Sequence, residues 1–342
     1  MADNRQQQLI NWLTGVLQQA DFKLTTASAD ASFRRYFRVH LADKTLIAMD
    51  APPPQENCAP FVQVAALFGD AGVNVPKVIA QDLERGFLLL TDLGDVTYLS
   101  QLNNDTASSL YQDANMALIK LQLASKQDVL PNYDAALLTR EMQLFPDWYI
   151  AKHLNVTLDD KQQADLQKIF ELLNKNILAQ GQVYVHRDYH SRNLMVCDGV
   201  TGQNPGVLDF QDAVYGAITY DLVSLLKDAY VEWDEEQVID WAVRYWQEAR
   251  KAGLPVPTDF SEFYRDFEYM GAQRHIKVLG IFARLYHRDG KDGYLKDMPL
   301  VMRYLRKVCE RYVELRPLLR LLDTLDGQEH HPDTNYKRLL KL

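Results

Sequence analysis

Apolar residues recur at three- and four-residue steps near the start of the chain. Leu9, Trp12, Leu13, Val16 and Leu17 share one face and predict a helix over residues 6–20. The period then falls to two. SFRRYFRVHL alternates large and charged residues, ADK turns the chain, and TLIAMD follows as a second strand. APPPQEN breaks the pattern. Residues 59–68 return to helical spacing and stop near Gly69 and Gly72, and VPKVIAQD with GFLLLTDLG predicts a hairpin. This is a small sheet with one internal helix. After Gly94 the helical period dominates, over residues 107–124, 133–153, 159–179 and from Tyr220 onward. Residues 183–210 interrupt it with short strands. No internal repeat is visible. The polar end, DGQEHHPDTNYKRLLKL, is expected to be loosely ordered, with His330 and His331 solvated and lacking a third ligand. The pattern predicts an α+β chain with a β-rich N-terminal lobe, residues 1–93, and a larger, mainly helical lobe, residues 94–342.

Composition narrows the classes. The chain has 342 residues, 47% of them hydrophobic, enough to bury a sizeable core. Its net charge of −9 disfavours nucleic acid and anionic membranes, which reward basic patches. Cys58, Cys197 and Cys309 are odd in number and form no CxxC pair, so free buried thiols in a reducing cytoplasm are expected. No apolar run approaches the ~20 residues that span a bilayer, and MADNRQQQLI lacks the apolar core of a signal peptide. The expectation is a cytoplasmic monomer with small-molecule partners.

The interruption carries the chemistry. VYVHRDYHSRNLMV contains HRDYHSRN, which matches the kinase catalytic-loop pattern H-R-D-x-x-x-x-N. GVLDFQD then ends a second short apolar run on Asp209. Phosphoryl transfer from ATP needs a hydroxyl held in line and divalent cations on the phosphates. Asp188 is placed to accept the hydroxyl proton, and Asn193 and Asp209 to hold Mg²⁺ with hard oxygen donors. His186 is expected to orient the loop. His190 and Arg192 either meet phosphate or substrate or make structural hydrogen bonds. Gln211 stands where a protein kinase has the glycine of D-F-G, and no A-P-E segment follows. LDFQDAVYGAITYDLVSLLKDAY turns at once into a helix, which suits a small acceptor.

HRDYHSRN, LDFQDAVYG and TYDLVSLLKD resemble the aminoglycoside phosphotransferase and choline kinase superfamily. SADASFRRYFRV, FLLLTDLGD and MGAQRHIKVLGIFARLYHRDGKDGYLKDMP resemble, more narrowly, the bacterial anomeric sugar kinases of cell-wall recycling. That resemblance covers most of the chain. It implies a bilobal protein-kinase-like fold and ATP- and Mg²⁺-dependent phosphorylation of the C1 hydroxyl of N-acetylmuramate and N-acetylglucosamine. It also implies Asp188 as catalytic aspartate, Asn193 and Asp209 as magnesium ligands, and adenine at the backbone near Thr91 and Asp92. Two departures stand out. The phosphate-covering stretch has no glycine, and TLIAMD lacks the kinase lysine, with Met49 near its place. Arg34, Arg35 and Arg38 are candidates to balance the phosphates. Strand alternation sends Arg34 and Arg38 to one face and Arg35 to the other; exposed strand charges are the plainer alternative. Glu56 is a weak candidate partner for one of them. On the acceptor side, Gln273, Lys277 and Arg284, with Arg274 beside them, follow one face of a helix. They either line the sugar pocket or form a charged stripe. Gln211 and Asp212 are expected to point toward the acceptor, and Tyr215 could stack on a sugar ring. Asp221 either caps its helix or braces the catalytic loop. A kinase for choline, an amino alcohol or an aminoglycoside, and a nucleotide-binding pseudokinase, remain open alternatives.

Overall fold

The computed structural model describes residues 4–29, 33–198 and 203–326. The polar end with His330 and His331, and the centre of SADASFRRYFRV, lie outside these residues. Two compact units make up the fold. The first comprises Met1–Leu121 and Arg192–Ala213, the second Gln122–Ser191 and Val214–Leu342. The first unit runs past residue 93 to Leu121, and the chain returns to it after the catalytic loop. Short strands Leu194–Met195 and Gly206–Val207 pair with each other and bridge to Thr97 and Asn74.

The first unit is built on a five-stranded antiparallel sheet. Its strands are β1 (Lys23–Ala29), β2 (Arg35–His40), β3 (Thr45–Asp50), β4 (Val78–Asp82) and β5 (Phe87–Thr91), in the order β1-β2-β3-β5-β4. β1 adds to the expected sheet. KLTTASA has no large alternating residues, so only its pairing with β2 at the sheet edge defines it as a strand. The pleat gives β2 two faces. Phe37 and Val39 join Leu46, Ala48, Phe87 and Leu89 beneath helix α1 (Asn4–Leu17), which contributes Leu9, Trp12 and Leu13. Each such buried Leu or Phe contributes roughly 1.5–3 kcal/mol of transfer free energy. Tyr36 and Arg38 face the opposite side. Asp50, fully buried at the end of β3, receives Arg5 Nε of α1 at 2.6 Å and a terminal nitrogen of Arg35 at 2.6 Å. Helix α2 (Ala59–Asp70) has Pro60 in its first turn and buries Phe61 and Phe68. No helix among the described residues is long and apolar enough to cross a membrane.

The second unit is mainly helical. Helix Ala135–Met142 leads into a π-helical segment, Phe145–His153, where the periodicity predicts one continuous α-helix. Pro146 has no N–H to donate, and the ladder widens beyond it: Leu154 N donates to Tyr149 O, five residues back. The centre of the unit is helix Phe260–Asp289, 30 residues and so ~45 Å long. Asp259 caps its first turn through Ser261 N at 2.6 Å, and Gly290 ends it with φ 68°. Every residue from Phe267 to Gly280 is buried, including Glu268, Gln273, Arg274, His275 and Lys277. A helix buried all round must find partners for such groups. Glu268 accepts from Tyr312 Oη at 2.7 Å and pairs with Arg311 and Lys227.

Gly280 lets this helix approach the chain leading into the π-helical segment. A Cβ there would sit 2.4 Å from the carbonyl carbon of Leu144. Gly280→Ala is therefore expected to destabilise the protein by about 1–3 kcal/mol, the cost of overpacking a rigid contact. Urea denaturation measures it; an unchanged midpoint would show that the two segments separate freely.

Candidate active site

In the first unit, Asn193 and Asp209 meet in the lining of a cavity beside the sheet. Leu208 N donates to Asn193 O at 2.9 Å, and Asn193 Nδ2 lies 3.3 Å from Asp209 Oδ2. Asp209 has φ 62°, in the left-handed region, where aspartate is tolerated better than most residues. Phe210 anchors this turn against Phe61 and Phe68 of α2, with ring centroids 4.8 and 5.9 Å away. Gln211 Nε2 donates to Asp209 Oδ1 at 2.8 Å, so Gln211 holds the carboxylate. The cavity, about 330 Å³, is lined by Tyr36, Ile47, Leu90, Met195 and Leu208, by Thr91 to Asp95, and by Asn193 and Asp209. Such a lining joins apolar side chains to a few convergent polar groups, as small-molecule clefts do.

The three candidate arginines separate. Arg35 turns away to Asp50. Arg38 forks onto Asp92, with Nε 2.6 Å from Oδ2, and reaches Gly94 O at 2.9 Å. Burial opposes ionisation of Asp92, but Arg38 and Gly94 N hold its carboxyl below the usual range. Arg38 thus braces the segment that carries Thr91 and Asp92. Arg34 pairs with Glu56 at 3.1 Å. Asp212 lies among the charges that act on Arg34.

In the second unit, strand Gln182–Val185 pairs with Val214–Ala217 and delivers the loop that follows. Tyr215 packs edge-on against Tyr184 on the paired strands. Two carboxylates fix the loop backbone. Asp221 accepts His186 N at 2.6 Å and Arg187 N at 2.9 Å, and so braces the loop. Asp228 accepts both the backbone N–H and the hydroxyl of Ser191. Asp188 N donates to His186 Nδ1 at 3.2 Å, which orients that ring. Arg187 holds φ 79° within this frame, a backbone state that non-glycine residues rarely adopt. Burial pushes the Asp221 carboxyl up to about 7, against the two backbone donors.

Around this loop the buried cations are satisfied internally. Lys277 Nζ donates to Tyr220 Oη at 2.9 Å and lies 3.1 Å from Glu141. Arg274 donates to Arg187 O at 3.0 Å and to Tyr220 Oη at 3.2 Å. Glu141 also receives Arg187 and Tyr133 Oη. Burial works against the Asp188 charge, yet Lys277, His190 and Arg274 hold its carboxyl below the usual range. Arg284 lies further along the helix, half-buried, and is influenced by Arg288 and Asp289 instead. His190 contacts the Tyr230 ring edge-on at 5.4 Å.

Residues 23–258 match the model of the phosphotransferase enzyme family. The chain belongs to this family. It is a phosphotransferase with a hydroxyl group as acceptor. Similarity to individual proteins runs along nearly the whole chain. An N-acetylmuramate/N-acetylglucosamine kinase from Neisseria meningitidis serogroup B is 52% identical over 330 residues, covering 95% of this chain and 97% of its own. A protein of the same name from Pseudomonas aeruginosa is 50% identical over 333 residues, covering 94% and 97%. Among solved structures, choline kinase LicA from Streptococcus pneumoniae superposes with TM-score 0.64 at 11% identity, covering 88% of this chain and 99% of that one. The ADP-bound aminoglycoside phosphotransferase APH(2'')-Ib gives 0.56 at 14%, covering 88% and 98%. At these identities they establish the kinase-like fold.

Glu141, Tyr133, Tyr220 and Asp228 are the members of this phosphotransferase's loop environment that sequence reading leaves out. A faint signal existed. Glu141 falls between Leu138 and Met142 on the buried face of its helix, and Asp228 lies seven residues after Asp221 at the end of a mainly apolar run. A lone acid on an apolar face signals a buried cation or backbone donor, without saying which. Asp221→Asn keeps one acceptor but turns an amide N–H toward the second backbone donor. The variant is expected to lose about 1–3 kcal/mol and to speed hydrogen exchange at the His186 and Arg187 amides. Unchanged exchange at both would show that Asp221 does not hold the loop.

Proposed function

We propose that this phosphotransferase is an ATP- and Mg²⁺-dependent sugar kinase acting on the anomeric C1 hydroxyl of N-acetylmuramate and N-acetylglucosamine, in the recycling of cell-wall sugars. The observation that carries the kinase chemistry is the part-buried Asp188 on a loop fixed by Asp221 and Asp228, with Lys277, His190 and Arg274 acting to lower its pKa. The choice of sugar rests on the two relatives at about half identity over nearly their full length.

In this reading Asp188 takes the proton from the C1 hydroxyl. The freed oxygen attacks the terminal phosphorus of ATP, the bond to the bridging oxygen breaks, and ADP leaves. Asn193 and Asp209 would hold magnesium, since two oxygen donors lining a cavity suit a hard cation that keeps its waters. Bound there, the cation would neutralise charge on the phosphates. Backbone groups at Thr91 and Asp92 would meet adenine, on a segment stiffened by Arg38. Arg274 and Lys277 would act on the acceptor through Asp188, Tyr220 and the loop carbonyl of Arg187, while Gln211 holds Asp209.

The test is ADP release from Mg-ATP with N-acetylmuramate, N-acetylglucosamine, glucose, choline and kanamycin, with phosphorus NMR to locate the new phosphate. Turnover dependent on the two acetamido sugars, giving a 1-phosphate, is expected; turnover with choline or kanamycin alone would sink the sugar assignment. Asp188→Ala is expected to lose at least the roughly 10²–10⁴-fold that a general base supplies, with ATP affinity retained. Near-normal turnover in that variant would remove Asp188 from the chemistry.

The pH profile tests the cations. Removing the Lys277 charge raises the Asp188 pKa, so the proton stays on to higher pH. In Lys277→Met the acid limb of kcat should therefore move up by about 1 pH or more. An unmoved limb would disconnect Lys277 from Asp188.

A further inference from the structure

We propose that Arg187 is a positioning residue anchored by Glu141: the pair holds the loop in a left-handed turn immediately before Asp188 and so aims that carboxylate at the acceptor hydroxyl. The proposal rests on the reading that Asp188 is the general base. It goes beyond that reading by giving the preceding residue a task and naming an anchor that lies outside the motif.

At φ 79°, Arg187 occupies a region that glycine enters readily and a long side chain rarely does. An arginine kept in that backbone state points to a task for its side chain. The residue is tied at both ends and at its tip. Its N–H donates to Asp221 at 2.9 Å, its carbonyl accepts Arg274 at 3.0 Å, and its guanidinium donates to Glu141. The guanidinium carbon also lies 5.6 Å from the centroid of the Tyr133 ring. Charge balance alone does not call for this arginine, because Glu141 already has Lys277 Nζ at 3.1 Å and the Tyr133 hydroxyl as a donor.

The anchor is itself held. Glu141 is buried on helix Ala135–Met142. Tyr133 N donates to Tyr215 O at 2.8 Å, on the strand that pairs with Gln182–Val185 and so with the segment leading into the loop. A Cβ at Gly216 would lie 2.8 Å from Tyr133 Cβ, so strand and side chain are in close contact. Strand, Tyr133, Glu141 and Arg187 thus close a frame around the start of the loop. The dihedrals at Arg187 set where the Cα–Cβ bond of the next residue points. With its side chain tied, the peptide cannot relax to a commoner backbone state, and Asp188 is directed by contacts that are not its own.

The experiment compares melting temperature and steady-state turnover of Mg-ATP, with the acceptor selected by the panel above, in the full chain and in Arg187→Gly, Arg187→Ala and Asp188→Ala. Glycine relieves the left-handed backbone and alanine does not, so Arg187→Gly should melt above Arg187→Ala. Both should lose about tenfold or more in kcat, since a small misplacement of a catalytic group is costly. The glycine variant should be no faster than the alanine one, because its loop is freer. Stability and turnover then part, which a purely structural role would not produce. The acid limb of kcat should move less than in Lys277→Met, since Lys277 is the foremost charge acting on Asp188. Glu141→Gln should cost less turnover in the Arg187→Gly background than alone, because its hold on the loop is already gone. If Arg187→Gly keeps wild-type kcat while Asp188→Ala loses turnover, the positioning role falls and the base reading stands. If glycine melts no higher than alanine, the turn is not held against its own preference and the proposal falls. A limb shifted as far as in Lys277→Met would make Arg187 an electrostatic group instead. If the Glu141 and Arg187 substitutions multiply, Glu141 is not the anchor. If no acceptor of the panel turns over, or Asp188→Ala turns over normally, both readings fall together.

Discussion

A charge taken out of water must be given partners, and the second unit of this phosphotransferase is arranged around that requirement. Asp221 is buried and accepts two consecutive backbone N–H groups, from His186 and Arg187. Those donors sit in a loop whose own geometry leaves them without a helix or sheet partner. The carboxylate therefore fixes where the loop lies, and Arg187 tolerates a left-handed backbone because both its ends are tied. Ser191 and Asp228 repeat the device at the loop's other end. Asp188 is held between the two anchors.

The same requirement explains why a long central helix carries so many polar groups. Arg274 and Lys277 are placed by helical spacing three residues apart and converge on Tyr220. Glu141 closes the set by balancing Lys277 and Arg187. Removing one member would leave another buried charge uncompensated, which costs more than the pair contributes in place. The network thus fixes geometry and electrostatics more than it adds stability, and its cations lower the Asp188 pKa against the cost of burial. The first unit uses shorter versions of this device. Asp50 joins α1 to the sheet through Arg5 and Arg35, and Asp92 with Arg38 stiffens the segment after β5. Each of the three arginines near β2 is claimed by a different carboxylate, which gives similar residues separate tasks.

Much of this was legible in order. Period-two alternation located β2 and β3, the apolar GFLLLT run located β5, and the capping box at Asp159 starts helix Asp160–Ala179 where residues 159–179 were expected to be helical. The catalytic loop was legible because its pattern is local. Asp188 and Asn193 are separated by four residues, and Asp209 follows at the end of the next short apolar run. β1 was not legible, since its small polar residues become a strand only by pairing with β2. The π-helical turn was not legible either, because Pro146 is compatible with several ways of ending a helix.

The sequence by itself therefore determined the α+β class, the residue types of the chemistry and their likeness to phosphotransferases. These depend on neighbours along the chain, where spacing fixes which side chains share a face. Tertiary structure decided who partners whom. Lys277 finds Glu141 136 positions away along the chain, and Arg38 finds Asp92 54 positions away. It also decided which carboxylate each of Arg34, Arg35 and Arg38 meets. The strand period separates their faces but cannot say which carboxylate folds back to meet each one. Coulomb attraction depends on distance in space, and the sequence gives distance only along the chain.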